Sequence, residues 1–220
     1  MEAKAFFASL AGFMLKHSRV TQVTALAPNL IRFDVSGEEL RDVKWTPGDK
    51  AQILIPGQAV RTYTPFGWRA DSVSFLGFIH GASPGSNWLR TLRAGDPVDF
   101  LGPQRSLNAS GINGPVLVVG DETSIAVSRA FSESRRVIVV LEASDVEGTR
   151  EVCAKLGLSN SSIVPRGNLD ALATNVKAHV DSGATPFFTG RASTIQQLKQ
   201  RLKIRGDTKA YWADGKRGLD

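Results

Sequence analysis

Arg61-Thr62-Tyr63-Thr64-Pro65 is the stretch whose residue types and order are best suited to chemistry. On a strand, an Arg can pair with a phosphate, and a Tyr ring can lie along a flat redox-active ring such as isoalloxazine. The Thr hydroxyl and the adjoining backbone can then reach that ring's reactive edge. Taken alone, the same residues also read as a surface ion pair beside a core aromatic. Two further segments follow in order. Phe78 to Leu89 is an apolar run ending in the small-residue turn His80-Gly81-Ala82-Ser83-Pro84-Gly85-Ser86, with Asn87 and Trp88 opening a helix. Backbone N–H groups at such a helix start suit a pyrophosphate, and the small residues allow close approach. Val116 to Val119 is a buried-type strand closing on Gly120-Asp121-Glu122-Thr123 and leading into a helical pattern. That is the opening of a nucleotide-binding strand–turn–helix unit, although the full G-x-G-x-x-G is missing.

The elements that must position these residues change character once along the chain. Six strand-like runs, Val20–Leu26, Leu30–Val35, Ala51–Ile55, Val60–Thr64, Ser72–Ile79 and Pro97–Leu101, are separated by Pro, Gly and Asn turns. They predict a small antiparallel barrel. After the polar stretch 108–114, strands at Val116–Val119, Val137–Leu141, Ser162–Val164 and Pro186–Thr189 alternate with helices. The helices are expected at Ile125–Ser132, Thr149–Leu156, Leu169–His179 and Ser193–Arg201. Alternation of this kind implies a parallel sheet covered on both faces. The expected divisions are a packing helix over 1–17, a barrel over 18–109 and an α/β domain over 110–220.

Composition limits the chemistry. With one cysteine (Cys153) and three histidines (His17, His80, His179), the chain lacks the ligands for a Cys-held iron–sulfur cluster or a typical structural zinc. No metal site is expected, so any electrons must pass through an organic cofactor. The formal charge of +6 points to an anionic partner. Without aromatic interleaving or a nucleic-acid motif, that partner is not expected to be nucleic acid. Phe6 to Leu15 is too short to span a bilayer, and Lys16-His17-Ser18-Arg19 follows it without a small-x-small cleavage site. A cytoplasmic protein without stable membrane insertion is expected.

The order R-T-Y-T-P, H-G with a downstream Trp, Gly95-Asp96 to Gly102-Pro103, and Gly120-Asp121-Glu122-Thr123 resembles the siderophore-interacting proteins. These are FAD-dependent ferric-siderophore reductases of the ferredoxin-reductase superfamily. Tyr211-Trp212 near the C-terminus is also similar, and the resemblance runs from about Arg19 to Gly218. It implies a six-stranded antiparallel FAD-binding barrel followed by a parallel-sheet NAD(P)-binding domain. FAD would be held by Arg61, Thr62, Tyr63, Thr64, His80, Gly85, Ser86, Asn87 and Trp88, with Tyr63 and Thr64 nearest the chemistry and Trp212 over the flavin. NADPH or NADH would lie near Gly120, Asp121, Glu122, Thr123, Gly190 and Arg191. Arg166 is placed to meet a 2′-phosphate, whereas Glu142 is placed to meet a ribose diol. Lys50, Arg129, Lys216 and Arg217 would attract the ferric siderophore or another anionic iron chelate to a monomeric enzyme. His80 also reads as a strand-end cap, and Asp121 and Glu122 as first-turn carboxylates favoured by a helix dipole. Two departures concern the substrate side: Phe66-Gly67-Trp68 where many members carry a basic residue, and Ala213-Asp214 where an Arg pair is common. Another electron acceptor, or a binding protein without turnover, is the competing reading.

Overall fold

The computed structural model describes residues 15–57 and 59–215. Seven strands form the first sheet: β1 (Leu15–Ala27), β2 (Leu30–Ser36), β3 (Lys50–Ile55), β4 (Ala59–Tyr63), β5 (Phe66–Arg69), β6 (Ser72–Phe78) and β7 (Pro97–Gln104). Their order is β4-β3-β7-β1-β2-β6-β5. Every pairing within it is antiparallel. Alternating burial along β2 and β3 places Phe33, Val35, Ile53 and Ile55 inside, as half-buried strands require. Inside the sheet Phe33 stacks on Phe75 at 5.3 Å, and Phe75 meets Phe100 edge-on at 5.6 Å.

Two sequence expectations need correction here. The sheet has seven strands where six were expected, because Phe66–Arg69 folds back on β6 as an edge strand. Gly67, at φ 62, bends that short run through a register shift, so it carries too few alternating residues to read as a strand. The packing helix over 1–17 does not reach His17. Leu15, Lys16 and His17 belong to β1 and pair with Leu101, Phe100 and Asp99. The remainder of that expected helix lies outside the described residues.

A helix, α1 (Pro84–Thr91), joins β6 to β7. The second sheet is parallel, with β8 (Val116–Gly120), β9 (Val137–Ala143), β10 (Ser161–Pro165), β11 (Thr185–Arg191) and β12 (Asp207–Trp212) in the order β10-β9-β8-β11-β12. Helices α2 (Ile125–Ser132), α3 (Val146–Lys155), α4 (Leu169–Asp181) and α5 (Ala192–Leu202) connect the strands. β8 and β9 are buried along their whole length, the signature of a sheet covered on both faces. β12 was not expected, since Asp207, Thr208 and Lys209 give it a polar first half. The chain turns to opposite sides of β8, toward β9 on one side and β11 on the other. The carboxyl ends of β8 and β11 therefore flank the switch point where open α/β sheets bind ligands. One apolar core contains Leu30, Phe66 and Leu76 of the first sheet together with Ala126, Ala130 and Phe131 of α2. It joins the two layers through α2.

Candidate functional site

One cleft between the two sheets collects most of the expected residues. Its walls include Lys50, Arg61, Thr62, Tyr63, Thr64, His80, Gly85 and Ser86 from the barrel side, and Glu122, Thr123, Lys209, Tyr211 and Trp212 from the α/β side. It encloses about 920 Å³, counting space open to solvent. β4 carries Arg61, Thr62 and Tyr63, with Thr64 just beyond it, and is an edge strand, paired with β3 only. No described strand pairs with its outer edge, which leaves that edge available to a planar ligand.

At the other end of the strand segment, Arg61 donates from Nη1 to the Val60 carbonyl at 2.7 Å and lies along Gly85. A Cβ at Gly85 would stand 3.3 Å from the Arg61 side chain, so glycine lets the guanidinium and the start of α1 share one spot. Ser83 caps α1. The Ser86 hydroxyl, fully buried, accepts from the His80 N–H at 3.0 Å and donates to the His80 carbonyl at 2.9 Å. Ser86 thus shapes the turn with its hydroxyl rather than offering it to a ligand. Asn87 and Trp88 do not line the cleft. Asn87 accepts from Arg90 at 3.0 Å, and Trp88 packs edge-on against Phe33 at 5.4 Å in the barrel core. Neighbouring helix residues lie on different faces, which separates these two from Gly85, Ser86 and Leu89 on the cleft side.

Burial among Phe33, Phe75 and Trp88 pushes the Tyr63 phenol well above its ordinary 10.0, partly opposed by the Arg61 charge. Tyr211 and Thr64 line the cleft from its two sides. The Tyr211 phenol is likewise pushed up by burial, lowered somewhat by the Thr64 side chain and raised again by the Asp121 charge. Both phenols are therefore proton donors at any ordinary pH.

Asp121 is fully buried and serves as a clasp. Oδ1 accepts from the Thr123 N–H at 2.9 Å and from its hydroxyl, and Oδ2 accepts from the Trp212 indole N–H at 2.7 Å. Burial raises its pKa, hydrogen bonds from Thr123 and Trp212 lower it, and the Glu122 charge raises it. Gly190, at φ +89, makes room for this carboxylate, since a Cβ there would come within 2.7 Å of Oδ2. Gly120 is needed equally: a Cβ on it would press on the Ser124 hydroxyl and on the Thr189 carbonyl at 2.6 Å. These two glycines serve packing around the turn.

Trp212 is held on several sides. His80 stacks on it at 6.2 Å, with Phe78 continuing the stack at 5.9 Å from His80. The guanidinium carbons of Arg166 and Arg191 lie 5.8 and 5.4 Å from its ring centre. Arg166 pairs with buried Glu122 and donates from Nε to the Ser144 hydroxyl at 2.9 Å, leaving Nη1 buried without a partner. Arg191 pairs with Asp214 at 2.7 Å. Glu142 is buried and committed elsewhere, accepting from the Gly167 N–H at 2.9 Å and the Thr194 hydroxyl at 2.7 Å. The ribose role read for it is corrected accordingly.

Of the residues expected to draw in an anionic substrate, Lys50 lines the cleft. Arg129 does not. It sits on the last turn of α2, 3.4 Å from Glu133, and lines a separate cavity. Lys216 and Arg217 lie outside the described residues. Lys209 and Tyr211 were missed as site residues, because both are carried to the cleft by β12. Alternation from Tyr211 to Lys209 was the available signal.

No protein-family model and no curated protein matches the chain. Solved structures do. A siderophore utilization protein from T. fusca superposes with a TM-score of 0.73 at 19% identity, over 94% of this chain and 95% of that one. The chain shares the fold of that protein. A siderophore-interacting protein from Aeromonas hydrophila matches at TM-score 0.69 and 20% identity, over 93% of each chain. Ferredoxin-NADP+ reductase from Plasmodium falciparum, solved with 2′P-AMP, matches at 0.69 and 12% identity over 89% of this chain and 95% of that one.

Proposed function

We propose that the protein is an FAD-dependent reductase of the siderophore-interacting type, taking electrons from NADPH or NADH and reducing the Fe(III) of an anionic chelate. The observation that carries this reading is the single cleft in which an unpaired strand edge, Arg61, Tyr63 and Thr64 face Thr123 and Tyr211 across two sheets. FAD suits that cleft: Arg61 and the start of α1 converge where a pyrophosphate would lie, and Gly85 removes the side chain that would keep them apart. Bound flavin supplies hydride acceptance and one-electron release, chemistry that no side chain here offers.

The chain's own residues do the rest. Tyr63 presents a ring packed against the barrel aromatics, and Thr64 and Tyr211 face each other from the two sheets on the cleft wall where a flavin ring edge would sit. Lys50 and Lys209 place two ammonium charges on the cleft wall, attracting an anionic iron chelate by long-range charge. Iron leaves after reduction because hard oxygen ligands hold Fe(II) less firmly than Fe(III). Arg166, Gly190 and Arg191 stand at carboxyl ends of the parallel strands, the position at which open α/β sheets bind a dinucleotide. Among the described residues no helix is long and apolar enough to cross a membrane. The proposal is of a monomer acting in the cytoplasm, organised as a barrel to about residue 109 and a nucleotide domain beyond it.

The test is an anaerobic assay of FAD-loaded protein with NADH, NADPH and a panel of ferric chelates, with Fe(II) trapped as it forms. The expected result is chelate-dependent oxidation of the nicotinamide, faster for anionic chelates and slowed by salt. Turnover with a quinone but with no chelate would indicate another acceptor. Protein that cannot be loaded with flavin would indicate a binding module.

A further inference from the structure

The second cavity lies away from the cofactor cleft, where the strand edge of β5 and the end of α2 meet β1, β2 and β6. It encloses about 750 Å³, counting space open to solvent, and its walls carry three arginines from three separate elements: Arg32 of β2, Arg69 of β5 and Arg129 of α2. Two of them have one carboxylate each. Arg32 donates from Nε to Asp34 at 3.0 Å and from Nη2 to the Ser74 hydroxyl at 3.2 Å, while Arg129 pairs with Glu133 at 3.4 Å. Asp34 also takes the Ser74 hydroxyl on the same oxygen, and Glu133 takes the Gly67 N–H at 2.6 Å. Arg69 has no carboxylate partner among the described residues. The cavity therefore has one cation in excess. It also has a surplus of donors: each guanidinium carries five N–H groups, of which Arg32 and Arg129 use only part, and Thr21, Gln22 and Ser72 add hydroxyl and amide groups.

Two of the arginines are held in place without a ligand. Arg32 lies 5.8 Å over the buried Phe66 ring, and Arg129 also donates to the Ser132 hydroxyl at 3.2 Å. Prefixed guanidinium groups lose little freedom on binding, and their planar fork matches an oxyanion bearing several acceptor atoms. A hydrophobic or cationic ligand would leave these donors unmet.

We propose that this cavity is an oxyanion site that accepts a phosphate group, free or as a phosphate monoester, independently of the cofactor cleft. The site shares α2 with the cleft, since Ala126 lines one cavity and Arg129 the other.

The test is calorimetric titration of the full chain, loaded with FAD, using inorganic phosphate and phenyl phosphate at constant ionic strength set with chloride. Wild-type protein is expected to bind one equivalent, and the Arg69→Gln/Arg129→Gln variant to bind at least about tenfold more weakly, which corresponds to ~1.4 kcal/mol. A circular dichroism melt confirms that the variant is folded. Stronger binding of phenyl phosphate than of phosphate would identify a monoester as ligand, and the reverse would identify the free ion. Arg61→Ala is the control, because its loss weakens only the cofactor cleft. Phosphate binding retained in Arg61→Ala and lost in the double variant supports the site. No heat with wild type, equal binding by the folded double variant, or loss only in Arg61→Ala would overturn it, and none of these outcomes depends on catalysis.

Discussion

The clasp between Asp121 and Trp212 ties the last strand to the turn after β8, and its strength follows from the geometry. Asp121 Oδ2 is 2.7 Å from the indole nitrogen, and Oδ1 is held by the Thr123 N–H at 2.9 Å. In Asp121→Asn one of these two acceptor oxygens becomes a donor amide. Whichever way the amide turns, it opposes either the Trp212 N–H or the Thr123 N–H, so one bond is lost and one buried donor is left unmet. A hydrogen bond to a charged group contributes about 1.5–3 kcal/mol. Urea unfolding at pH 8 of the wild type, Asp121→Asn, Trp212→Phe and the double variant should give a coupling energy in that range, the cycle removing effects that each change has elsewhere. The pH dependence adds a second readout. Burial raises the Asp121 pKa in the folded protein, so the unfolded chain gives up this proton first as pH rises. The stability tied to Asp121 is then full below the ordinary aspartate range near 3.8 and is lost as pH rises through the raised folded value. Asp121→Asn should remove that slope. A coupling below ~0.5 kcal/mol would refute the clasp, and an unchanged slope in Asp121→Asn would refute the raised Asp121 pKa.

Gly190→Ala should destabilise the fold by more than the ~1–2 kcal/mol of left-handed backbone strain, because its Cβ would also meet Asp121 Oδ2 at 2.7 Å. Gly183→Ala is the control, with φ +91 and nothing within 4 Å, and thermal unfolding of the two should differ by the Asp121 contact alone. The chain has two tyrosines, and burial raises both above the ordinary 10.0, so a native ultraviolet titration should show no phenolate until pH is well past 10 while the unfolded chain ionises normally. Stability should therefore fall as pH rises above 10, the unfolded phenols ionising first. Replacing Lys50 and Lys209 together by Ala should raise KM for an anionic ferric chelate and leave kcat nearly unchanged, the difference vanishing toward 1 M salt, where the Debye length is about 3 Å.

Much of the architecture was legible because burial imposes a period on the sequence. Val116–Val119 and Val137–Leu141 read as strands of a covered sheet, and Leu30–Val35 and Ala51–Ile55 as strands of the first one; the structure has all four as strands, and burial places Phe33, Val35, Ile53 and Ile55 inside. Arg61, Tyr63 and Thr64 were legible as neighbours because one short segment presents them in a fixed order beside a glycine turn, and the structure brings them to the wall of one cleft. Phe66–Arg69 and Asp207–Trp212 were not legible as strands. The first is four residues long and bent at Gly67, and the second is stabilised by its pairing with β11 rather than by an apolar pattern of its own. The roles of Asp121 and Glu142 were hidden for a different reason: a carboxylate in sequence looks the same whether it meets a ligand or a buried N–H. Only the partners distinguish the two. Asn87 and Trp88 illustrate a related limit, since a motif names consecutive residues while a helix sends them to different faces.

The central claim is that the cleft around Arg61 holds FAD, and the most direct measurement is the FAD dissociation constant of the wild type and of Arg61→Ala, followed by flavin fluorescence with folding checked by circular dichroism. Wild-type protein should bind FAD, and the folded variant should bind it about one to two decades more weakly, the effect of losing a charge-assisted contact of ~1.5–3 kcal/mol. Absence of FAD binding by the wild type, or equal affinity in the folded variant, would contradict the account.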